Sequence, residues 1–138
     1  MLRVIVGGTD SLDNTIVLGE LSASFDRSEG RAVRLRFNGR SSSRDAGKVL
    51  APVFDQALAS AMAERHGLEV HFEGLEYFNS STIAALVQFI RAAQEKSVAL
   101  TVFYDAQLKW QAMSFDALKR AMRPVHGGAP VIFSTNVG

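Results

Sequence analysis

Asn79-Ser80-Ser81-Thr82 places three consecutive hydroxyl residues behind an asparagine and directly ahead of the apolar run Ile83-Ala84-Ala85-Leu86. Short polar side chains accept hydrogen bonds from the first free amides of a helix, so the stretch reads as a helix start capped by Asn79 or Ser80. A negative group added to one of these hydroxyls would meet exposed amides and the positive end of the helix dipole. The stretch therefore has two readings, a cap with spare hydroxyls and a place of modification.

Other residues that could do chemistry are scattered. The three histidines, His66, His71 and His126, have no metal-ligand spacing to one another or to a carboxylate on a helix. His66 reads as a cation at a helix end, His71 as part of a strand's polar face, and His126 as a loop residue. Gly7-Gly8 lacks the downstream Lys-Ser/Thr of a phosphate loop, and no Gly-x-Ser-x-Gly elbow supports a Ser-His-acid triad. Glu69, Glu73 and Glu76 suit a solvated strand edge. Arg34 and Arg36 suit a solvated strand face or a strip for an acidic partner. Trp110, with Leu108 and Met113, reads as core or groove lining. Arg40 and Arg44 enclose Ser41-Ser42-Ser43, a polar connector or a rival modification site. No catalytic residue, no cofactor and no metal is expected.

The bulk composition fits that absence. The sequence has 138 residues, 47% hydrophobic and 21% charged, with a formal net charge of +1 and no cysteine. One domain spanning 1–138 is expected, able to bury a core without disulfides. So small a net charge gives no field to attract nucleic acid. No apolar run approaches the ~20 residues that span a bilayer, and Met1–Gly8 does not read as a signal peptide. Direct nucleic-acid binding and membrane insertion are not expected, and a cytoplasmic protein is.

The elements that must hold these residues follow from periodicity. Residues 2–6 and 15–18 read as short strands around a turn-rich segment, and Asp26–Gly30 as a second turn. Val33, Leu35 and Phe37 alternate with Arg34 and Arg36, a half-buried strand ended by Asn38-Gly39. A helix follows Arg44, with Pro52 in its first regular turn and Val53, Phe54, Ala57, Leu58, Ala61 and Met62 on one face. Gly67 stops it. Leu68, Val70 and Phe72 mark another strand. The helix after Asn79 buries Ile83, Leu86, Val87 and Ile90 and turns Gln88, Arg91, Gln94 and Glu95 outward. Val98–Tyr104 is apolar enough for a central strand covered on both sides. A helical region from Asp105-Ala106 to about Met122, with a break near Ser114-Phe115, leads past Pro124 and Gly127-Gly128 to a last strand at Val131–Phe133. Strands alternating with helices predict a mostly parallel or mixed sheet.

Within that order, Val70-His71-Phe72-Glu73-Gly74-Leu75-Glu76-Tyr77-Phe78-Asn79-Ser80-Ser81-Thr82-Ile83-Ala84-Ala85-Leu86 resembles the signature of the STAS domain of bacterial anti-sigma-factor antagonists. There a strand leads through an Asp-Ser-Ser-Gly or Asp-Ser-Thr-Gly motif into a helix. Arg36–Arg40 with its polar loop, and Val98–Val102 with its helix, resemble the flanking units. The likeness covers about 32–133, with a β-rich extension over 1–30.

The resemblance implies an α/β fold: a single domain with a mixed four- to six-stranded sheet and helices mainly on one face. It also implies a protein-binding regulator of transcription. Such a module binds a serine-kinase-type anti-sigma factor, is phosphorylated at the first motif serine, here Ser80 with Ser81 as rival, and is reset by a phosphatase. Asn79, Ser80, Ser81, Thr82 and Arg40 would form the partner surface; a homodimer is an open alternative. Asn79 stands where the family has Asp, and Thr82 where it has Gly. These departures favour a second reading, a STAS-like scaffold that is not phosphorylated and serves a regulatory or transporter-associated complex. A ligand-binding protein or enzyme on the same fold is the third reading.

Overall fold

The computed structural model describes residues 4–6, 14–26, 32–122 and 131–135. The elements are β1 (Val4–Val6), β2 (Asn14–Leu18), β3 (Leu21–Asp26), β4 (Val33–Ser41), α1 (Ala46–Glu64), β5 (Leu68–Phe78), α2 (Ser80–Glu95), β6 (Leu100–Tyr104), α3 (Lys109–Ala121) and β7 (Val131–Thr135). The seven strands form one sheet whose spatial order is the chain order. β1 to β4 pair antiparallel, and β4 to β7 pair parallel. Each parallel pair is bridged by a helix, as a parallel connection requires. The sheet is mixed, as expected. It runs to a seventh strand because 21–26, assigned to no element from sequence, forms β3.

Alternation sets the layers. Leu21, Ala23 and Phe25 of β3, Val33, Leu35 and Phe37 of β4, Leu68, Val70 and Phe72 of β5, and Leu100 and Val102 of β6 are buried with the apolar residues of all three helices in one core. Phe37 stacks on Phe72 and meets Phe54 of α1 edge-on, and Phe54 stacks on Phe89 of α2 at 4.2 Å between ring centroids. The opposite face mixes charged residues with a few apolar ones, among them exposed Val17 and Ile132. Arg34 bonds Glu69 at 3.2 Å, and His71 lies between Glu69 and Glu73 while stacking on Phe103.

β4 and β5 shift register between Arg36 and Asn38 and again between Gly39 and Arg40. The β5 core face accordingly moves from Phe72 to Leu75 and Phe78. Two glycines permit these irregularities. A Cβ on Gly74 would collide with Asn38 Oδ1, and one on Gly39, whose φ is +96°, would collide with Glu20 O. The extra residues of both shifts lie in β5, so β4 runs on unbroken past Asn38-Gly39 to Ser41.

Other expectations need correction. α1 begins at Ala46, so Pro52 lies inside it, past the first turn; its missing N–H is tolerated on an exposed side of the helix. α1 stops at Arg65, not Gly67. Arg65 is left-handed at φ 56°, and His66 N–H donates to Ala61 O at 2.9 Å, closing the helix as a Schellman-type turn. Met62 is 48% exposed. α3 is continuous through Ser114-Phe115, with Phe115 buried. β6 starts at Leu100 and is covered on one side only, because every helix packs on the same face; Thr101 and Phe103 are half-buried on the other. In α2 the buried stripe is Thr82, Ala85, Leu86, Phe89, Ile90, Ala93 and Gln94, so Ile83 is exposed and Gln94 is inside. The turn segment 7–13, the turn after Asp26, Pro124, His126 and Gly127-Gly128 lie outside the described residues.

Candidate functional site

The parallel strands β4 and β5 end side by side, with Arg40 opposite Tyr77 and Ser41 opposite Phe78. Each strand then turns into its helix. The β4–α1 loop, 42–45, and the start of α2 are therefore neighbours, and the Asn79–Thr82 motif joins them.

Asn79 is the cap. Its side-chain Oδ1 accepts from Thr82 N–H at 2.9 Å and from Thr82 Oγ1 at 2.8 Å. Because a backbone N–H can only donate, this bond fixes which end of the carboxamide is oxygen. The Nδ2 end donates to Ser43 O at 3.0 Å, across the gap to the neighbouring loop. Asn79 N–H donates to Ser41 O at 3.1 Å.

Thr82 points inward and is 2% exposed. Its hydroxyl lies 2.7 Å from Ser41 Oγ and 3.3 Å from Ser41 O. With one proton each, the short distances are met if Thr82 donates to Asn79 Oδ1 and Ser41 donates to Thr82. Ser81 Oγ donates to Arg44 O at 3.1 Å. Three of the four motif residues thus use their side chains to bind the β4–α1 junction.

Ser80 is the exception. It is the first residue of α2, it is exposed, and its hydroxyl makes no hydrogen bond among the described residues. The amides of the first helical turn have no acceptor within the helix, so the hydroxyl sits at the electropositive end of α2. Arg40 lies at the same end of the sheet, exposed, with its guanidinium 5.0 Å from the centre of the Tyr77 ring and no ion pair among the described residues. No bond joins Arg40 to the motif; Tyr77, on β5 before Phe78, is its link to it. Ile83, 36% exposed, and Tyr77, 40% exposed, flank the motif in sequence.

Two residues outside the motif hold the site. Ser41, which the sequence places in a polar connector or rival modification site, is a buried strand end, and Gln111 carries no signal in the sequence. Gln111, fully buried in α3, donates to Phe72 O at 2.8 Å and to Leu75 O at 3.0 Å, and accepts from Asp105 N–H at 2.8 Å. It ties α3 to the bulge of β5 that leads into the motif. Trp110 is half-buried and edge-on to Phe78, with ring centroids 5.1 Å apart, whereas Leu108 and Met113 are exposed.

Among the described residues, no group of three or more His, Asp or Glu side chains is placed to hold a metal ion, and no helix is long and apolar enough to cross a membrane. A hollow of about 560 Å³ lies between the β2–β3 turn and α1, lined in part by Leu18, Ser43, Lys48 and Pro52 and by no residue of the motif.

No protein-family model and no curated protein matches this sequence. Solved structures do match the fold. An anti-sigma factor antagonist from Mycobacterium paratuberculosis is 13% identical, with 81% of this chain and 85% of that one aligned at a TM-score of 0.52. SiaC of Pseudomonas aeruginosa is 19% identical over 97% of this chain and 99% of its own, at 0.57. An uncharacterized protein with a SpoIIAA-like fold from Shewanella loihica is 10% identical over 96% and 93%, at 0.52. With the strand–motif–helix unit at the place the sequence resemblance gives it, the chain has a STAS-like fold.

Proposed function

We propose that this protein is a cytoplasmic regulatory binding module. Its partner is a serine-kinase-type anti-sigma factor or a related signalling ATPase, and the complex is switched by phosphorylation of Ser80. The observation that carries the reading is the division of labour within the motif. Ser81 and Thr82 spend their hydroxyls on the neighbouring loop, and Ser80 alone presents one to solvent. That makes Ser80 the acceptor in preference to Ser81. The STAS-like fold and the solved anti-sigma factor antagonist of that fold support the choice of partner class.

A phosphate adds about −1.5 to −2 charges at neutral pH. At the start of α2 this charge is tolerated by the fold, because the free amides and the helix dipole favour an anion there. The switch would therefore act on the partner's affinity and leave the domain folded. A phosphatase would restore the binding form.

The test uses the protein purified from its own cells. Phosphopeptide mapping should find phosphate on Ser80 in a fraction of molecules. Immobilised wild-type protein and Ser80→Ala should capture the same kinase-type partner from lysate, and Ser80→Asp should capture at least tenfold less. Unmodified Ser80 under all growth conditions, together with equal capture by Ser80→Asp, would reject phospho-switching. It would favour the scaffold reading, whose support is that Asn79 and Thr82 replace the family's Asp and Gly.

A further inference from the structure

Asn79 Oδ1 accepts from both the backbone N–H and the hydroxyl of Thr82; a glycine at 82 would keep the first bond and lose the second. The Asn79 carboxamide faces two ways: oxygen toward its own helix, nitrogen toward Ser43 O. A carboxylate could still accept from Thr82 N–H, but its second oxygen would face the Ser43 carbonyl, acceptor against acceptor. The amide nitrogen is thus the one group of residue 79 that a cap does not need and that the loop does.

We propose that Asn79 is a positioning residue: its Nδ2 holds the β4–α1 loop against the start of α2, so that Ser80 and that loop form one recognition surface for the protein that phosphorylates it. This rests on Ser80 being the acceptor. Ser81 adds a second tie from the same turn, to Arg44 O. Thr82, bonded to Ser41, fixes the depth of the turn. Ser80 is held between these anchored residues, and the geometry around it depends on the loop that they hold.

The experiment uses Asn79→Asp and Asn79→Ser in the full chain. Both keep an acceptor for Thr82 N–H and lose the Nδ2 that donates to Ser43 O, a reach the shorter serine hydroxyl does not have; the serine variant serves if the carboxylate costs the fold. Amide hydrogen exchange at Asp45, the N-cap of α1 whose N–H donates to Ser43 Oγ, and at Val49, whose N–H donates to Asp45 O, should quicken by about fivefold or more, the scale of one lost hydrogen bond. The fraction of protein phosphorylated at Ser80 in its own cells should fall by a similar factor. Phe25→Leu, in the core of β3 at the other end of the sheet, supplies a variant of lowered stability with the site intact, and its Ser80 phosphorylation should stay at the wild-type level. Unchanged exchange in both Asn79 variants overturns the proposal, and so does quickened exchange with undiminished phosphorylation. If wild-type Ser80 is never phosphorylated, the functional reading fails and the positioning role fails with it. The exchange data then decide only whether Asn79 holds the loop.

Discussion

Ser41 Oγ and Thr82 Oγ1 meet at 2.7 Å inside the protein, joining positions 41 residues apart in the chain. The pair locks the last residue of β4 to the first turn of α2 where neither hydroxyl reaches water. Thr82→Val keeps the shape and leaves Ser41 Oγ and Asn79 Oδ1 short of a partner. It should lower the unfolding free energy by about 1–3 kcal/mol in urea denaturation. Ser41→Ala should cost a comparable amount. The double variant should cost less than the sum, with a coupling of about 0.5–2 kcal/mol. Strict additivity would mean that the two hydroxyls do not share a bond.

Ser80 should behave oppositely. Its hydroxyl makes no hydrogen bond among the described residues, so Ser80→Ala should change stability by no more than about 0.5 kcal/mol. A loss of more than ~1 kcal/mol would show that the hydroxyl has a structural partner and is not held in reserve for modification.

Gln111 holds two buried carbonyls and one part-buried amide at once, and no apolar residue can replace those bonds. Gln111→Leu should cost about 2–5 kcal/mol, since the carbonyls of Phe72 and Leu75 and the amide of Asp105 lose their partner. Thermal unfolding by circular dichroism would measure it. A melting temperature within two or three degrees of wild type, roughly the effect of under 1 kcal/mol for a chain of this size, would contradict this role.

Gly39 and Gly19 separate two costs of a glycine. Both have positive φ, +96° and +68°, but a Cβ on Gly19 has nothing within 4 Å, whereas one on Gly39 meets the backbone of Glu20. Gly19→Ala should cost about 1 kcal/mol, the left-handed penalty alone. Gly39→Ala should cost at least ~2 kcal/mol more, because the backbone of Glu20, in the turn that leads into β3, must move as well. Parallel urea titrations decide it, and equal costs would rule out the close approach of β3 and β4.

These same residues show where sequence reading stops. β4, β5 and α2 were legible because their information is local: alternation in Val33–Phe37 and Leu68–Phe72, and a capping residue before an apolar run. β3 was not, because Ser22, Ala23 and Ser24 are weak strand formers; pairing with β2 and β4 supplies what propensity lacks. The face of α2 was misjudged for a traceable reason. Period alone centres the stripe on Ile83, Leu86, Val87 and Ile90. The buried stripe is instead centred on Phe89, with Ala85, Leu86, Ile90 and Ala93, and Thr82 bonded to Ser41 lies on that same side, which leaves Ile83 exposed and Gln94 buried. Ser41 and Gln111 read as ordinary polar residues because their partners lie tens of positions away. At the site, the cap at Asn79 was readable. The reach of its Nδ2 to Ser43 depends on two strands ending together, which only the sheet determines.

The order of the sheet has a mechanical consequence. Because the strands lie in chain order, β1 and β7 occupy opposite edges, six inter-strand spacings or roughly 29 Å apart. A pulling force applied between those edge strands runs along the inter-strand hydrogen bonds and perpendicular to the strands. Each ladder would then be loaded in series, and the sheet would open at its weakest seam like a zip, at low force, without the simultaneous rupture that shearing demands. The broad β4–β5 ladder, which carries the Ser80 junction on its end, should part after shorter ladders such as β1–β2.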